Sequence, residues 1–224
     1  MKLVFTVFST LTLVVPLLVF ASTGREIALT FDDCPRKTGT LMGGMERAQK
    51  LTNELKRAKV SQVAFFCNSP SRESDGILRL KHFAQQGHLI ANHSATHPNF
   101  NKTTVDDFVK DIELADKELN NLPNFRKWFR FPYLHEGKDI NDVVSVRNFL
   151  NSKGYRNGYV TIDNGDWYID DLLNRALADG KKFDQAKLCT VYKNIMSEEA
   201  EFYDNMSVKA LGRSVKHIML LHET

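Results

Sequence analysis

Short runs of neighbouring apolar residues alternate along this chain with longer stretches whose apolar positions recur every three or four residues. The runs at Ile27–Phe31, Gln62–Phe66, Leu89–Asn92, Trp128–Phe131, Tyr159–Ile162 and His217–Leu221 predict strands. Met45, Ala48, Leu51, Leu55 and Ala58 share one helical face, as do Phe108, Ile112, Ala115 and Leu119. Thr104, with a carboxylate three residues on at Asp107, marks the start of the second of these helices. Asp75–Gln86 and Asp142–Lys153 predict further helices, closed by Gly87 and Gly154, and residues 170–210 are mostly helical in pattern.

Strands that alternate with helices imply parallel strands joined by crossover helices. Their nearly continuous apolar character implies a sheet covered on both faces. An α/β fold follows, and at this level an open doubly wound sheet and a closed barrel both satisfy the pattern. No repeat, low-complexity tract or linker interrupts the alternation, so one domain is expected.

The first residues read differently. Lys2 is followed by an apolar run from Leu3 to Phe20, and Val19-Phe20-Ala21 suits cleavage after Ala21. Residues 1–21 therefore predict a secretory signal peptide, and residues 22–224 the exported domain. The alternative is an uncleaved N-terminal membrane anchor, since the run is nearly long enough to span. Thr6, Ser9, Thr10, Thr12 and Pro16 weaken it as a span. The expectation is a secreted or periplasmic protein with no stable membrane insertion after cleavage.

With 42% hydrophobic and 25% charged residues the composition is that of a globular domain. A net charge of +3 is too weak a bias to point to nucleic acid. The three cysteines, Cys34, Cys67 and Cys189, form no C-x-x-C pair, which argues against a structural zinc knuckle, and they read as small buried residues.

Polar clusters fall at the C-terminal ends of the predicted strands, where parallel α/β folds build their active sites. Asp32-Asp33 follow the first strand, His93 and His97 the third, Arg130 to Tyr133 the fourth, Asp163, Asp166 and Trp167 the fifth, and His222 the last. His93 and His97 share a face if their stretch turns helically, and then reach one metal ion. Adjacent carboxylates repel in a pocket unless a cation separates their roles, one binding it and the other acting as a base. A set of two histidines and one carboxylate leaves coordination positions open, which is a catalytic arrangement. Arg130 is placed to hold a carboxylate by a bidentate pair. Pro132 lacks an N–H, so the next free donor for an oxyanion is the Tyr133 N–H. His222, protonated beside a carboxylate such as Asp166, can donate to a leaving group.

Five segments in this order resemble the motifs of the polysaccharide deacetylase family, the NodB-homology domain of carbohydrate esterase family 4. They are Thr30-Phe31-Asp32-Asp33, His93-Ser94-Ala95-Thr96-His97, Arg130-Phe131-Pro132-Tyr133, Asp163-Asn164-Gly165-Asp166-Trp167 and Leu220-Leu221-His222. The resemblance implies a distorted (β/α) barrel of parallel strands and outer helices, with fewer strands than the eight-stranded form. It implies a divalent metal, usually Zn2+, on Asp33, His93 and His97. Asp32 would be the general base, oriented by Arg130, and His222 the general acid, tuned by Asp166. Trp167 and Leu220 would line the acetyl pocket, and the Tyr133 N–H would face the oxyanion.

The implied activity is removal of acetyl groups from a carbohydrate, foremost N-deacetylation of a GlcNAc-containing polysaccharide of the peptidoglycan or chitin type. An O-acetyl esterase acting on xylan-type glycans and a non-catalytic glycan-binding module on the same fold are the alternatives. The chain departs from the family at Cys34, where glycine is usual, and a Cys34–Cys67 disulfide is one expectation there. The long helical stretch from Asp170 to Gly212 is expected to wall a substrate groove. A barrel's last strand normally leads into a covering helix, so a chain that stops two residues after His222 reads as truncated at its C-terminus.

Overall fold

A computed structural model describes residues 24–223, and the predicted signal segment lies outside the described residues. The strands are β1 Ile27–Cys34, β2 Ala64–Cys67, β3 Leu89–Asn92, β4 Phe125–Phe129, β5 Arg156–Asn157 and β6 His217–His222. The α-helices are α1 Gly44–Arg57, α2 Gly76–Gln85, α3 Val105–Leu119, α4 Ile140–Ser152, α5 Asp166–Ala178 and α6 Gln185–Leu211. The six strands form one sheet in the order β5-β4-β3-β2-β1-β6, and every neighbouring pair is parallel. The sheet is curled, with helices outside, as a distorted (β/α) barrel requires. Among the described residues no helix is long and apolar enough to cross a membrane.

Strand alternation divides the sheet into an outer and an inner face. Leu29, Phe31, Phe65, Met219 and Leu221 point outward into the main apolar cluster, with Leu55 of α1 and Leu80 and Phe83 of α2. Phe65 sits at its centre, stacked on Phe83 with ring centroids 3.9 Å apart and on Phe31 at 5.3 Å. A second cluster packs Phe108 and Ile112 of α3 and Val146 and Leu150 of α4 around Phe129 and Phe131. The inward positions of β1 and β6 are then Thr30, Asp32, Leu220 and His222, and the register pairs Thr30 with Leu220 and Asp32 with His222.

Local chemistry sets the helix ends. Thr104 Oγ1 accepts the Asp107 N–H and caps α3 as its sequence predicts. Asp139 Oδ1 accepts the N–H groups of Asn141 and Asp142, which starts α4 earlier than the predicted Asp142. Gly87 and Gly154 stand just beyond α2 and α4 with φ of 89° and 76°, conformations open to glycine at little cost.

Four expectations about the fold need correction. The apolar run Tyr159–Ile162 is not a strand: the fifth strand is Arg156–Asn157, and the run meets the sheet at one bridge, Ile162 to Met219. The cause is at Gly158, whose N–H donates to the Phe129 carbonyl and whose own carbonyl is taken by Arg130, so the chain leaves β4 there. The chain then crosses to β6, where the N–H groups of Thr161 and Ile162 both donate to the Ile218 carbonyl. This crossing links the two edges of the curl. A Cβ at Gly158 would come within 2.6 Å of the Phe66 ring, so the path depends on glycine.

The fourth strand also ends earlier than predicted, at Phe129, which leaves Arg130 and Phe131 beyond the ladder. Cys34 and Cys67 are register partners but are free, buried thiols and not a disulfide. Each sulfur turns to a carbonyl of its own strand, Cys67 to Phe65 O at 3.4 Å and Cys34 to Phe31 O at 3.8 Å. Cys189, expected to be buried, is exposed on α6.

Phe65, with no exposed surface, is the most damaging site to truncate. Phe65→Ala is expected to cost about 3–5 kcal/mol of stability, measured by urea unfolding. Thr104→Ala, which removes one helix cap, should cost about 1 kcal/mol by the same measurement.

Candidate active site

The C-terminal end of β1 brings two neighbouring carboxylates to one side. The β1–β2 register shifts between Phe31 and Cys34, and Asp33 takes a left-handed backbone with φ of 65°. Asp is among the residues that tolerate this conformation. Asp32 keeps its inward strand position, and the turn at Asp33 swings the second carboxylate beside it.

His93 and His97 converge on Asp33, but not through the helical turn that their spacing suggests. The stretch after β3 is a loop in which Ser94 and His97 have φ of 66° and 60°. Asn92 shapes it, accepting the Ser94 N–H at 2.8 Å while donating to the Ile112 carbonyl at 3.1 Å. Asn68 donates to the carbonyls of His93 and Ser94, and Ser94 Oγ accepts the His97 N–H. The imidazole centroids end 5.0 Å apart.

His93 Nδ1 lies 2.8 Å from the Arg130 carbonyl, which can only accept, so Nδ1 carries a hydrogen and Nε2 is the nitrogen turned toward Asp33. Burial, and then the neighbouring His93, drive His97 down to about 4 against the pull of Asp33, so His97 is neutral at pH 7. Burial pushes the Asp33 carboxyl up, but His93, His97 and His222 outweigh it and hold the group below its ordinary value. Asp33 Oδ1 is 3.5 Å from His93 Nε2 and 3.1 Å from His97 Nε2, and it is buried with no hydrogen-bond partner. Ligand atoms of all three residues fall within 4.8 Å of one another. One anionic oxygen without a donor, facing two imidazole nitrogens, fits a divalent cation.

Asp32 stands beside this set and has a different partner. Arg130 Nη1 donates to Asp32 Oδ1 at 2.6 Å and to Thr30 Oγ1 at 2.8 Å. The pair is made through one nitrogen and is not the predicted bidentate fork: Nε donates to the Gly158 carbonyl at 2.8 Å, and Nη2 is buried without a partner. The guanidinium carbon lies 3.9 Å from the Phe66 ring centre, and Arg130 is 1% exposed. Asp32 Oδ2 is left facing Asp33 and the two histidines, 3.7 Å from His93 Nε2.

On the other side, Asp166 opens α5 and is buried. Its Oδ1 accepts from His222 Nδ1 at 2.8 Å and from the Trp167 N–H at 2.7 Å, and its Oδ2 accepts the His222 N–H at 2.6 Å. His222 Nε2 then points inward, 4.0 Å from Asp33 Oδ2. Burial disfavours the charged imidazole, but the hydrogen bond and charge of Asp166, helped by Asp33 and Asp32, raise His222 above its ordinary value of 6.5.

The remaining predicted residues rim the site. Tyr133 has φ of 57°, and its ring packs edge-on to His97 with centroids 4.5 Å apart. The turn's hydrogen bonds run from Leu134 to Phe131 and from His135 to Pro132 and leave out the Tyr133 N–H. Leu220 is buried on the inner face with His222, and Trp167 is half exposed at the mouth. Asp163 is exposed, its Oδ1 taken by the Asn164 N–H, and it stays outside the cluster. Helices α5 and α6 and the 36–42 loop enclose a neighbouring cavity of about 730 Å³, lined by Arg36, Leu41, Ile169, Leu173 and Tyr192 among others.

Sequence reasoning missed the supporting residues. Thr30 fixes Arg130, Asn92 and Asn68 fix the histidine loop, and Asn164 accepts the Asp166 N–H and donates to the Leu220 carbonyl. Three of them adjoin or lie within the motifs, which was their one available signal.

The profile of the polysaccharide deacetylase family matches residues 21–157. Over 158 residues the chain is 32% identical to a peptidoglycan-N-acetylglucosamine deacetylase of Bacillus cereus, covering 69% of this chain and 52% of that protein. It thus spans about half the length of that relative. The fold is similar to a solved peptidoglycan N-acetylglucosamine deacetylase, with TM-score 0.57 and 22% identity over 89% of this chain and 72% of the other. It is also similar to the family 4 carbohydrate esterase from Streptomyces lividans, with TM-score 0.56 and 18% identity over 89% and 80%. With the profile covering more than half of its length, the chain belongs to the polysaccharide deacetylase family.

Proposed function

We propose that this protein is a metal-dependent hydrolase that removes N-acetyl groups from a GlcNAc-containing polysaccharide of the peptidoglycan type, outside the cytoplasm. The observation that carries the reading is the convergence of Asp33, His93 and His97 between two separately held groups, Asp32 on Arg130 and His222 on Asp166. The name of the Bacillus cereus relative supports the substrate class, and the apolar run after Lys2 supports export. A divalent cation, foremost zinc, on Asp33, His93 and His97 would polarise the acetyl carbonyl and acidify water.

The chain's own groups do the rest. Asp32 Oδ2 takes the proton of the attacking water, and Arg130 holds that carboxylate in place. The Tyr133 N–H donates to the oxyanion that develops on the acetyl group. His222 Nε2 donates a proton to the leaving nitrogen, and Asp166 holds its tautomer and favours the charged form. Leu220 and Trp167 flank the acetyl methyl. The open rim beside Trp167 suits a chain substrate that lies across the site.

Acetate release from N-acetylated chitin oligomers, peptidoglycan and acetylated xylan, with zinc and with chelator, tests the reading. Chelator-sensitive release from the N-acetylated substrates is expected, fastest from peptidoglycan. Faster release from xylan would make the protein an ester hydrolase, and glycan binding without release would make it a binding module. Asp32→Asn should lower kcat by about a hundred- to ten-thousandfold with zinc binding retained. His93→Ala and His97→Ala should lose both zinc binding, read by calorimetry, and turnover. The raised His222 pKa keeps the acid form present into a higher pH range than a free imidazole, and that form is lost as pH rises through it. Asp166→Asn removes the stabilising charge, so the alkaline limb of the kcat–pH profile should move to lower pH.

A further inference from the structure

Among the groups this mechanism leaves unused is Glu223, a carboxylate with no exposed surface. Two buried arginines face it. Arg47 of α1 places Nε 3.5 Å from its Oε1, and Arg79 of α2 places Nη1 3.4 Å from the same oxygen. Its Oε2 accepts the main-chain N–H of Arg36 at 3.0 Å. Both arginines also reach the chain on the far side. Arg79 Nη1 donates to the Arg36 carbonyl at 2.7 Å, and Arg47 Nη2 donates to the carbonyls of Arg36 and Lys37 at 2.9 and 3.1 Å. Asp75 Oδ1 accepts from Arg79 Nε at 2.9 Å and balances the second charge. Gly44 makes room for the cluster, since a Cβ there would lie 2.6 Å from Arg79 Cζ.

The cluster sits where the two halves of the site part company. The β1–β6 ladder runs as far as Asp32 opposite His222. One residue further along β6 comes Glu223, and three residues after Asp33 comes Arg36. A buried ion pair adds little stability over apolar packing of equal volume, but its hydrogen bonds are directional and fix what they join. We propose that Glu223 is a positioning residue: held between Arg47 and Arg79, it clamps the turn that carries Asp33 to the strand end that carries His222. The clamp sets the metal-binding carboxylate and the proton-donating nitrogen at their mutual distance, 4.0 Å between Asp33 Oδ2 and His222 Nε2. The catalytic part of this inference rests on the hydrolytic reading above, whereas its consequence for metal binding does not.

Two variants test it. Glu223→Gln keeps the size of the side chain and an acceptor for the Arg36 N–H but removes the charge. Arg47→Lys keeps the charge and drops the bonds to the Arg36 and Lys37 carbonyls. Zinc affinity by chelator competition and steady-state kinetics are both measured well below the melting temperature, so that only folded protein is read. Each variant is expected to weaken zinc binding by about tenfold or more, the range for groups that orient ligands, and to lower kcat at least tenfold with KM within twofold. A lower melting temperature with wild-type zinc affinity and kcat would overturn the proposal and make the cluster a plain stabilising contact. If Glu223→Gln does not fold, Arg47→Lys decides. If the wild-type chain releases no acetate from any substrate, the hydrolytic reading fails and the zinc measurement alone decides whether the clamp exists.

Discussion

A guanidinium inside a curled sheet has to be answered on several sides, and that of Arg130 is met by four groups from three parts of the chain. Asp32 and Thr30 come from β1, the Gly158 carbonyl from the crossing segment, and the ring of Phe66 from β2. Its own carbonyl holds His93. Removing one partner from such a group leaves a buried charge uncompensated, at a cost of about 3–5 kcal/mol. That penalty makes the arrangement all or nothing. The crossing chain, Asp32 and His93 keep their places together.

Three aspartates stand close to one another around this centre, and their partners keep them apart in role. Asp32 is paired with a guanidinium, Asp33 faces the nitrogens of two imidazoles, and Asp166 accepts from an imidazole, from the His222 N–H of β6 and from the Trp167 N–H at the head of α5. Asp33 is the least enclosed of the three, with 25% side-chain exposure against 3% for Asp32 and 0% for Asp166, yet its Oδ1 is fully buried without a hydrogen-bond partner. The fit to a cation proposed above thus follows from hydrogen-bond accounting around one oxygen, not from acidity in general.

Much of this was legible in the order of residues. The outward positions of β1 and β6 are apolar and the inward ones carry the chemistry, so strand alternation alone places Thr30, Asp32, Leu220 and His222 together. The faces of α1 and α3 follow directly from their spacing. What could not be read was local backbone geometry. The i, i+4 spacing of His93 and His97 suggests a helix, but left-handed residues and asparagine side chains achieve the same convergence. Tyr159–Ile162 has the composition of a strand, but the carbonyl of Gly158 is claimed by an arginine far away in sequence. Cys34 and Cys67 face each other as a disulfide would need, while each thiol turns to a carbonyl of its own strand. In each case the deciding partner is tertiary, and no window along the chain contains it.

The pairing of β1 with β6 has a consequence in time as well as in space. Asp32 and His222 lie opposite each other in the ladder, with nearly all of the described chain between them. During synthesis the strands that hold Asp33, His93 and His97 emerge early, and can pair among themselves as β1 to β4. Of the described strands β6, with His222, emerges last and must find its place on the free edge of β1, a contact of very high sequence separation and so a slow one. Asp33, His93 and His97 can thus come together before His222 joins them, and the groups proposed above for the chemistry are complete only once β6 has docked.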